Sequence, residues 1–399
     1  MHYAWKILIA CCSINASALG LTNSNGLFYT EICKDLGIRM SNLTIHTIVT
    51  GLVSVATLTI VDKAYKKLPI RPLLMANLIL YHVAYMSMAF FNRTFEWCIA
   101  SVFTGISGAF LLYIPVPMLL NNWFVKKKKT ALSICFVASG VSGILVSLLL
   151  GYVISSYGWR TGYIVRGIFL LVITIPVLLF VKKDPKEAGM LPYGAGEDAK
   201  EEQKIMGESA ESHTFDQKRI KYLSAIFLAI AFNLGCAMVT QLPNYANTRG
   251  LGIVMGSYLT SLAMAGNILS KAMMGPVVEK SGVRISGACV AGFIALGYFA
   301  IAGGARAVPL VCAVAFTTGF TACTNTLIIP NLLDTFVKGD DYVHVLSRCS
   351  MGTMLAGAFT NVIASSLFDC FGRYEPVFFI YGILEVVSIM VLLLVFRKK

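Results

Sequence analysis

The 399 residues are 57% hydrophobic and only 13% charged, whereas a soluble globular domain carries about 25% charge. That balance excludes a water-soluble enzyme and leaves no room for a separate soluble domain, since the one sustained polar stretch runs from Lys182 to about Lys221. The formal charge of +13 does not point to nucleic acid as a partner, because the cations cluster where a membrane topology places them.

Twelve apolar segments are each long enough to cross a hydrocarbon core about 30 Å thick: 5–29, 42–61, 72–91, 97–120, 130–155, 161–181, 221–246, 254–278, 285–304, 307–330, 344–368 and 376–396. The pattern predicts an all-α membrane protein of twelve transmembrane helices whose main partner is the lipid bilayer. The first run is too long for a signal-peptide core and lacks a small-residue cleavage site, so it is expected to stay as the first helix. Both termini then share a side. Most of the 33 Lys and Arg residues fall there, with Arg166, Lys271 and Arg348 inside segments, and the positive-inside bias makes that side cytoplasmic. The expected location is a plasma membrane, the bacterial inner membrane.

Helix 1 carries Asn15, Gly20, Asn23, Asn25 and Gly26 before Phe28 and Tyr29; such amides and glycines either join helices or line a path. Helix 2 ends in Asp62, Lys63, Lys66, Lys67 and Arg71, and helix 4 closes in Asn122, Trp123 and Phe124 ahead of four lysines that read as a cytoplasmic anchor. Helix 5 is rich in small residues, which suits close crossing, and Gly158, Trp159 and Arg160 form the turn into helix 6. After the charged linker 182–220 the pattern returns with a shift of about 215 residues: Gly20 matches Gly235, Tyr29 matches Tyr245, Asp62 matches Glu279, Pro115 matches Pro330, Gly158 matches Gly372 and Gly167 matches Gly382. Two pseudo-symmetric six-helix halves, 1–181 and 221–399, are the parallel repeats found in membrane transporters.

In the eighth segment Lys271 lies roughly 12 Å from Glu279 and roughly 20 Å from the Gly252 turn, at about 1.5 Å per helical residue. A lysine at that depth costs about 2.5 to 3.5 kcal/mol on insertion scales, so it is expected to face a wet cavity or a counter-charge. Asn267, Lys271 and Gly275 share one helical stripe, offering an amide, a cation and a close-packing glycine. The alternative is a lysine paired with a buried acid or neutralised by burial.

The run Gly275, Glu279, Lys280, Gly282, Arg284 resembles the major facilitator signature between helices 8 and 9, with Asp62, Lys63 and Arg71 as its degenerate counterpart between helices 2 and 3. The resemblance covers the whole chain. Within that superfamily Asn122-Trp123-Phe124, the Gly158-Trp159-Arg160 turn and Gly26-Leu27-Phe28 are similar to the monocarboxylate and oxalate/formate exchanger branch. The resemblance implies that Asp62, Glu279 and their neighbouring cations form ion pairs that hold one transport state closed; otherwise they anchor loops. It also implies that Lys271, four residues before the signature glycine, occupies the place of a carboxylate-gripping arginine, with the charge kept and the two-pronged grip lost.

Arg348, at the start of helix 11, is either a second clamp for a dicarboxylate or a structural charge. Arg166 is within snorkelling reach of the outer surface and reads as an interfacial cation. Tyr29, Tyr113, Tyr152 and Tyr245 can wall a site with rings and phenol donors, or simply pack. Glu385 is the one acid in the middle of a segment, in helix 12, which the architecture usually turns toward lipid. His46 and His82 read as packing or hydrogen-bonding residues ahead of proton relays. No metal or cofactor is expected, since no CxxC pair, zinc-like His/Cys spacing or phosphate-loop motif appears.

The function these residues indicate is secondary transport of a small organic anion, a mono- or dicarboxylate, by a monomer rocking its halves around a midplane site. An intramembrane enzyme would need paired carboxylates or metal ligands within the spans. A cation exporter would want an acid in the cavity, a neutral-drug exporter has no use for Lys271, and a nutrient sensor would be marked by a long cytoplasmic tail. Proton-linked carriers of the family place an acid one turn before the helix 8 cation. Asn267 holds that position here, and an amide carries no proton, so anion exchange is expected over proton symport.

Overall fold

In a computed structural model the chain is almost entirely helical; the structure describes residues 2–112, 114–195, 215–236, 238–304, 307–337 and 340–396. The helices are α1 (Tyr3–Asn23), α2 (Gly26–Leu36), α3 (Met40–Lys67), α4 (Ile70–Ser87), α5 (Thr94–Leu112), α6 (Pro115–Trp123), α7 (Lys128–Leu178), α8 (Phe215–Cys236), α9 (Met238–Thr248), α10 (Gly252–Ser281), α11 (Val283–Ala302), α12 (Val308–Thr318), α13 (Thr321–Cys323), a π-helical turn (Thr324–Ile328), α14 (Ile329–Asp334), α15 (Asp340–Phe371) and α16 (Glu375–Val395). Large apolar side chains such as Val172, Leu296 and Leu394 stand exposed on them, which is stable only against lipid.

Among the described residues, eleven helical stretches are long and apolar enough to span a bilayer. One of them holds two crossings: the 51 residues of α7 would run about 75 Å at 1.5 Å per residue, more than twice a hydrocarbon core. The chain reverses at Gly158, whose φ of 80° and ψ of 167° lie where a Cβ is not tolerated. The result is the twelve-helix architecture. Its internal repeat is visible in the backbone. Gly372, the partner of Gly158 in the second half, also has positive φ, 68°. The first span breaks between α1 and α2.

Repeat-related glycines also meet their neighbours in the same way. A Cβ on Gly167 would overlap the Met86 side chain, and one on Gly382 would stand 2.8 Å from the Phe299 ring. At both sites an added side chain would make the neighbouring side chain shift, so the helices approach closely.

The residues group into two compact units, Met1–Asn25 with Val49–Glu208, and Gly26–Ile48 with Ser209–Lys399. In the first, α1 lies against α7, where Ser142 Oγ donates to Ala16 O at 2.7 Å and a Cβ on Gly20 would stand 2.6 Å from that hydroxyl. The Asn122-Trp123-Phe124 run ties down the segment after α7: Asn122 Nδ2 donates to Asp184 Oδ1 (2.8 Å) and Trp123 Nε1 to Lys182 O (2.9 Å). In the second, α2 clasps α9. Gly26 packs directly on the Thr240 carbonyl, and Thr30 Oγ1 donates to Asn244 Oδ1 at 2.7 Å. Tyr113, the Asp62 side chain and linker residues 196–214 lie outside the described residues.

Candidate functional site

The second unit carries the cation-bearing site. Helices α10 and α12 cross backbone to backbone. A Cβ on Gly266 would overlap the Phe316 carbonyl oxygen, and one on Gly319 would overlap the Ala263 carbonyl oxygen and stand 2.6 Å from the Asn267 amide nitrogen. That crossing fixes the turn of α10 on which Asn267 and then Lys271 project, both half-buried. Cys236 at the end of α8 and Cys323 at the end of α13 lie within electrostatic reach of the Lys271 ammonium.

An amide relay continues the polar surface in this unit. Asn233 Nδ2 donates to Thr353 O at 2.5 Å, and Asn325, in the π-helical turn, approaches Asn233 Oδ1 at 3.5 Å. The side-chain oxygens of Asn267 and Asn325 are buried without a hydrogen-bond donor among the described residues. The Lys271 ammonium, with the thiols of Cys236 and Cys323 within electrostatic reach, can receive an anion, while the spare amide oxygen of Asn267 one turn away can only accept a hydrogen bond; π-helical turns recur at functional sites. Asn233, Cys236, Cys323 and Asn325 escaped the sequence reading, although an amide inside an apolar span was the available signal.

Three sequence expectations change. Gly275 is not a close-packing glycine here, because a Cβ on it would have nothing within 4 Å. Arg166 does not snorkel; it is 0% exposed. Its guanidinium reaches the break in the first span and donates to Leu21 O (3.0 Å), Ser24 Oγ (3.0 Å) and Asn25 Oδ1 (2.9 Å), between the rings of Tyr85 and Tyr163 at 5.1 and 5.0 Å. A cation at the end of α1 satisfies one carbonyl of its last turn, that of Leu21, and complements the helix dipole. Glu385 does not face lipid either: it is 1% exposed, inside the second unit.

The other predicted residues are scattered. Tyr29 is buried edge-on to His46, and Tyr245 lies edge-on to Tyr374 and Phe378. Tyr152 is 63% exposed on α7. Arg348 is exposed and donates to Tyr222 Oη at 2.6 Å. His82, buried in the first unit, bridges Ser17 Oγ and Leu78 O, both at 2.8 Å. Of the signature residues, Lys63, Glu279 and Lys280 are exposed and Gly282 turns the chain with φ 76°. The two signature arginines hold main-chain carbonyls in equivalent places, Arg71 on Val181 O (2.5 Å) and Arg284 on Leu393 O (2.6 Å). In this structure they cap the ends of the sixth and twelfth spans, as cations near helix C-termini do.

The family model described as Major Facilitator Superfamily matches residues 10–305. The chain is similar to the MFS-type transporter pynF of Aspergillus niger, at 22% identity over 70% of this chain and 62% of the relative. It is also similar to the mouse monocarboxylate transporter 3, at 24% identity over 42% of this chain and 34% of the relative. It therefore spans less than two thirds of the length of these relatives. Among solved structures it resembles the nucleoside transporter NupG, with a TM-score of 0.74 at 11% identity and full coverage of both chains, a likeness of fold alone.

Proposed function

Because the chain belongs to the Major Facilitator Superfamily, we propose that it is a secondary transporter moving small organic anions, mono- or dicarboxylates, by alternating access. The observation that carries this reading is Lys271. It stands on α10 deep within a span, half-buried, on a turn fixed by the Gly266 and Gly319 crossing and beside an amide oxygen that lacks a donor. A cation so placed favours negative substrates. Asn267 and Lys271 form the substrate-binding core of the proposal, and the moving bodies are 1–181 and 221–399, joined by 182–220. The transporter works as a monomer in a plasma membrane with both termini cytoplasmic. Cysteine-accessibility labelling tests that topology: single cysteines in 182–220 are expected to react only from the cytoplasmic side and those in 92–96 only from outside, and the reverse pattern would refute it.

The proposed mode is exchange of one anion for another, since Asn267 offers no proton. In proteoliposomes, labelled carboxylate is expected to enter rapidly only when unlabelled carboxylate is trapped inside. Uptake into empty vesicles driven by an inward proton gradient, and lost when it collapses, would establish the second reading, proton-coupled symport. The observation favouring that alternative is the burial of Glu385.

A further inference from the structure

At the end of the first unit where α1 begins, the segment after α7 folds back on the turn between α6 and α7. Tyr193 N donates to Trp123 O at 2.9 Å, and Tyr193 O accepts from the amides of Val125 and Lys126, both at 3.1 Å. Phe124 and Tyr193 thereby pair as a short parallel bridge. Gly194 follows with φ 87°, and a Cβ on it would overlap the Lys126 side chain, so the two stretches of chain are pressed together. Beside them lies an open cavity of about 630 Å³ whose lining includes His2, Lys126, Lys127, Leu191, Tyr193 and Gly194. Small-molecule sites occupy roughly 300 to 1,000 Å³.

The lining is cationic and apolar at once. No carboxylate among the described residues faces the cavity. The acids nearest in sequence are engaged elsewhere: Asp184 Oδ1 accepts from Asn122 Nδ2 (2.8 Å) and Glu187 Oε2 from the Lys183 amide (3.2 Å). His2 Nδ1 accepts from Ala4 N at 3.2 Å, which leaves Nε2 as the donor of the neutral ring. Next to these donors Leu191 is 71% exposed, an arrangement that water disfavours.

The surrounding rings set the height of the cavity. Trp5, Phe124 and Tyr193 contact one another at centroid distances of 5.7 to 5.8 Å. Tyr3 stacks on Trp123 at 5.2 Å and lies under the ammonium groups of Lys6 and Lys182. Aromatic rings and lysines gathered at the end of a spanning segment mark the headgroup level of a bilayer. A water-soluble anion would use only the cations, whereas an exposed Leu191 within this belt suits a ligand that carries acyl chains as well as negative charge.

We propose that this cavity binds the headgroup of an anionic phospholipid. Lys126, Lys127 and His2 Nε2–H hold the phosphodiester, and the chains lie against Leu191 and the aromatic rim. On the proposed topology the cavity opens to the leaflet where anionic lipids concentrate. One phosphate then joins the start of α1, the turn between α6 and α7, and the segment after α7. The site is independent of the anion-transport reading, because it uses neither Lys271 nor Asn267.

The test titrates the purified full-length protein in detergent with dioctanoyl phosphatidylglycerol, dioctanoyl phosphatidylcholine or inorganic phosphate, followed by thermal unfolding and native mass spectrometry. Saturable stabilisation by phosphatidylglycerol is expected, at least about 10-fold tighter than by either of the others. Lys126→Gln/Lys127→Gln is expected to weaken it at least about 10-fold, since each cation near the headgroup adds to the attraction. Lys34→Gln/Lys67→Gln removes as much charge from other exposed positions and is expected to leave it unchanged. Gly194→Ala keeps every charge but forces the segment away from Lys126, so binding should fall there too; should that variant not fold, the lysine pair decides. Equal binding of the two lipids, or an equal loss in both double variants, overturns the site in favour of diffuse attraction. Unchanged binding in Lys126→Gln/Lys127→Gln overturns it outright. Inorganic phosphate binding as tightly as phosphatidylglycerol overturns the lipid assignment in favour of a soluble phosphate compound.

Discussion

Replacing Lys271 with Gln is expected to abolish carboxylate transport while the protein still inserts and folds. The two effects separate because they draw on different free energies. A lysine inside the bilayer costs about 2.5 to 3.5 kcal/mol on insertion scales, so its removal relieves a cost to folding, and thermal unfolding should shift little or upward. The substrate carboxylate, by contrast, loses a charge-assisted partner in a partly dehydrated place, where such truncations cost about 2 to 5 kcal/mol. A loss of about 3 kcal/mol corresponds to roughly a 100-fold fall in transport efficiency. Lys271→Arg keeps the charge and adds a planar fork, so transport should persist with altered preference among carboxylates. Uptake assays of the three proteins in proteoliposomes, normalised to reconstituted protein, make the comparison. Unchanged uptake in the Gln variant would remove Lys271 from the substrate site.

The helical architecture was legible because a bilayer imposes it: each crossing needs about 20 apolar residues with every main-chain group satisfied internally. The repeat was legible for a related reason. Glycines recur with it, either where the backbone angle favours one, as at Gly158 and Gly372, or where helices approach closely, as at Gly167 and Gly382. Lys271 stood out as a charge deep in an apolar run. Facing was another matter, because helices apolar around most of their circumference carry no sequence mark of which side meets lipid. Arg166 counts as near the surface by its position along helix 6, yet it turns inward to the end of α1. Glu385 sits on a span that architecture alone assigns to the periphery, yet it points at Gly235. Gly275 belongs to a recognisable signature, yet a Cβ there would meet nothing within 4 Å, while Gly266 and Gly319, outside any motif, set the height of the site.

Gly319→Val is therefore expected to be the most damaging small substitution in the second unit. The φ of Gly319 is −61°, open to any residue, so the constraint is space alone. The atoms a side chain would meet are the Ala263 carbonyl and the Asn267 amide of the facing helix, and main chain does not swing aside as the end of a flexible side chain does. To admit Val, α10 and α12 must separate along their crossing, losing packed contacts on both faces at a cost of about 3 kcal/mol. The displaced turn of α10 is the one carrying Asn267 and Lys271, so transport should fall further than stability, because catalytic and binding groups tolerate shifts of only about 1 Å. Gly275→Ala is the matched control on the same helix. It enters open space and gains helix propensity of up to about 1 kcal/mol, so thermal stability should hold or rise. Melting temperature and uptake measured side by side for the two variants give the test. A Gly319→Val protein as stable and active as the wild type would mean that the α10 and α12 crossing does not position Lys271.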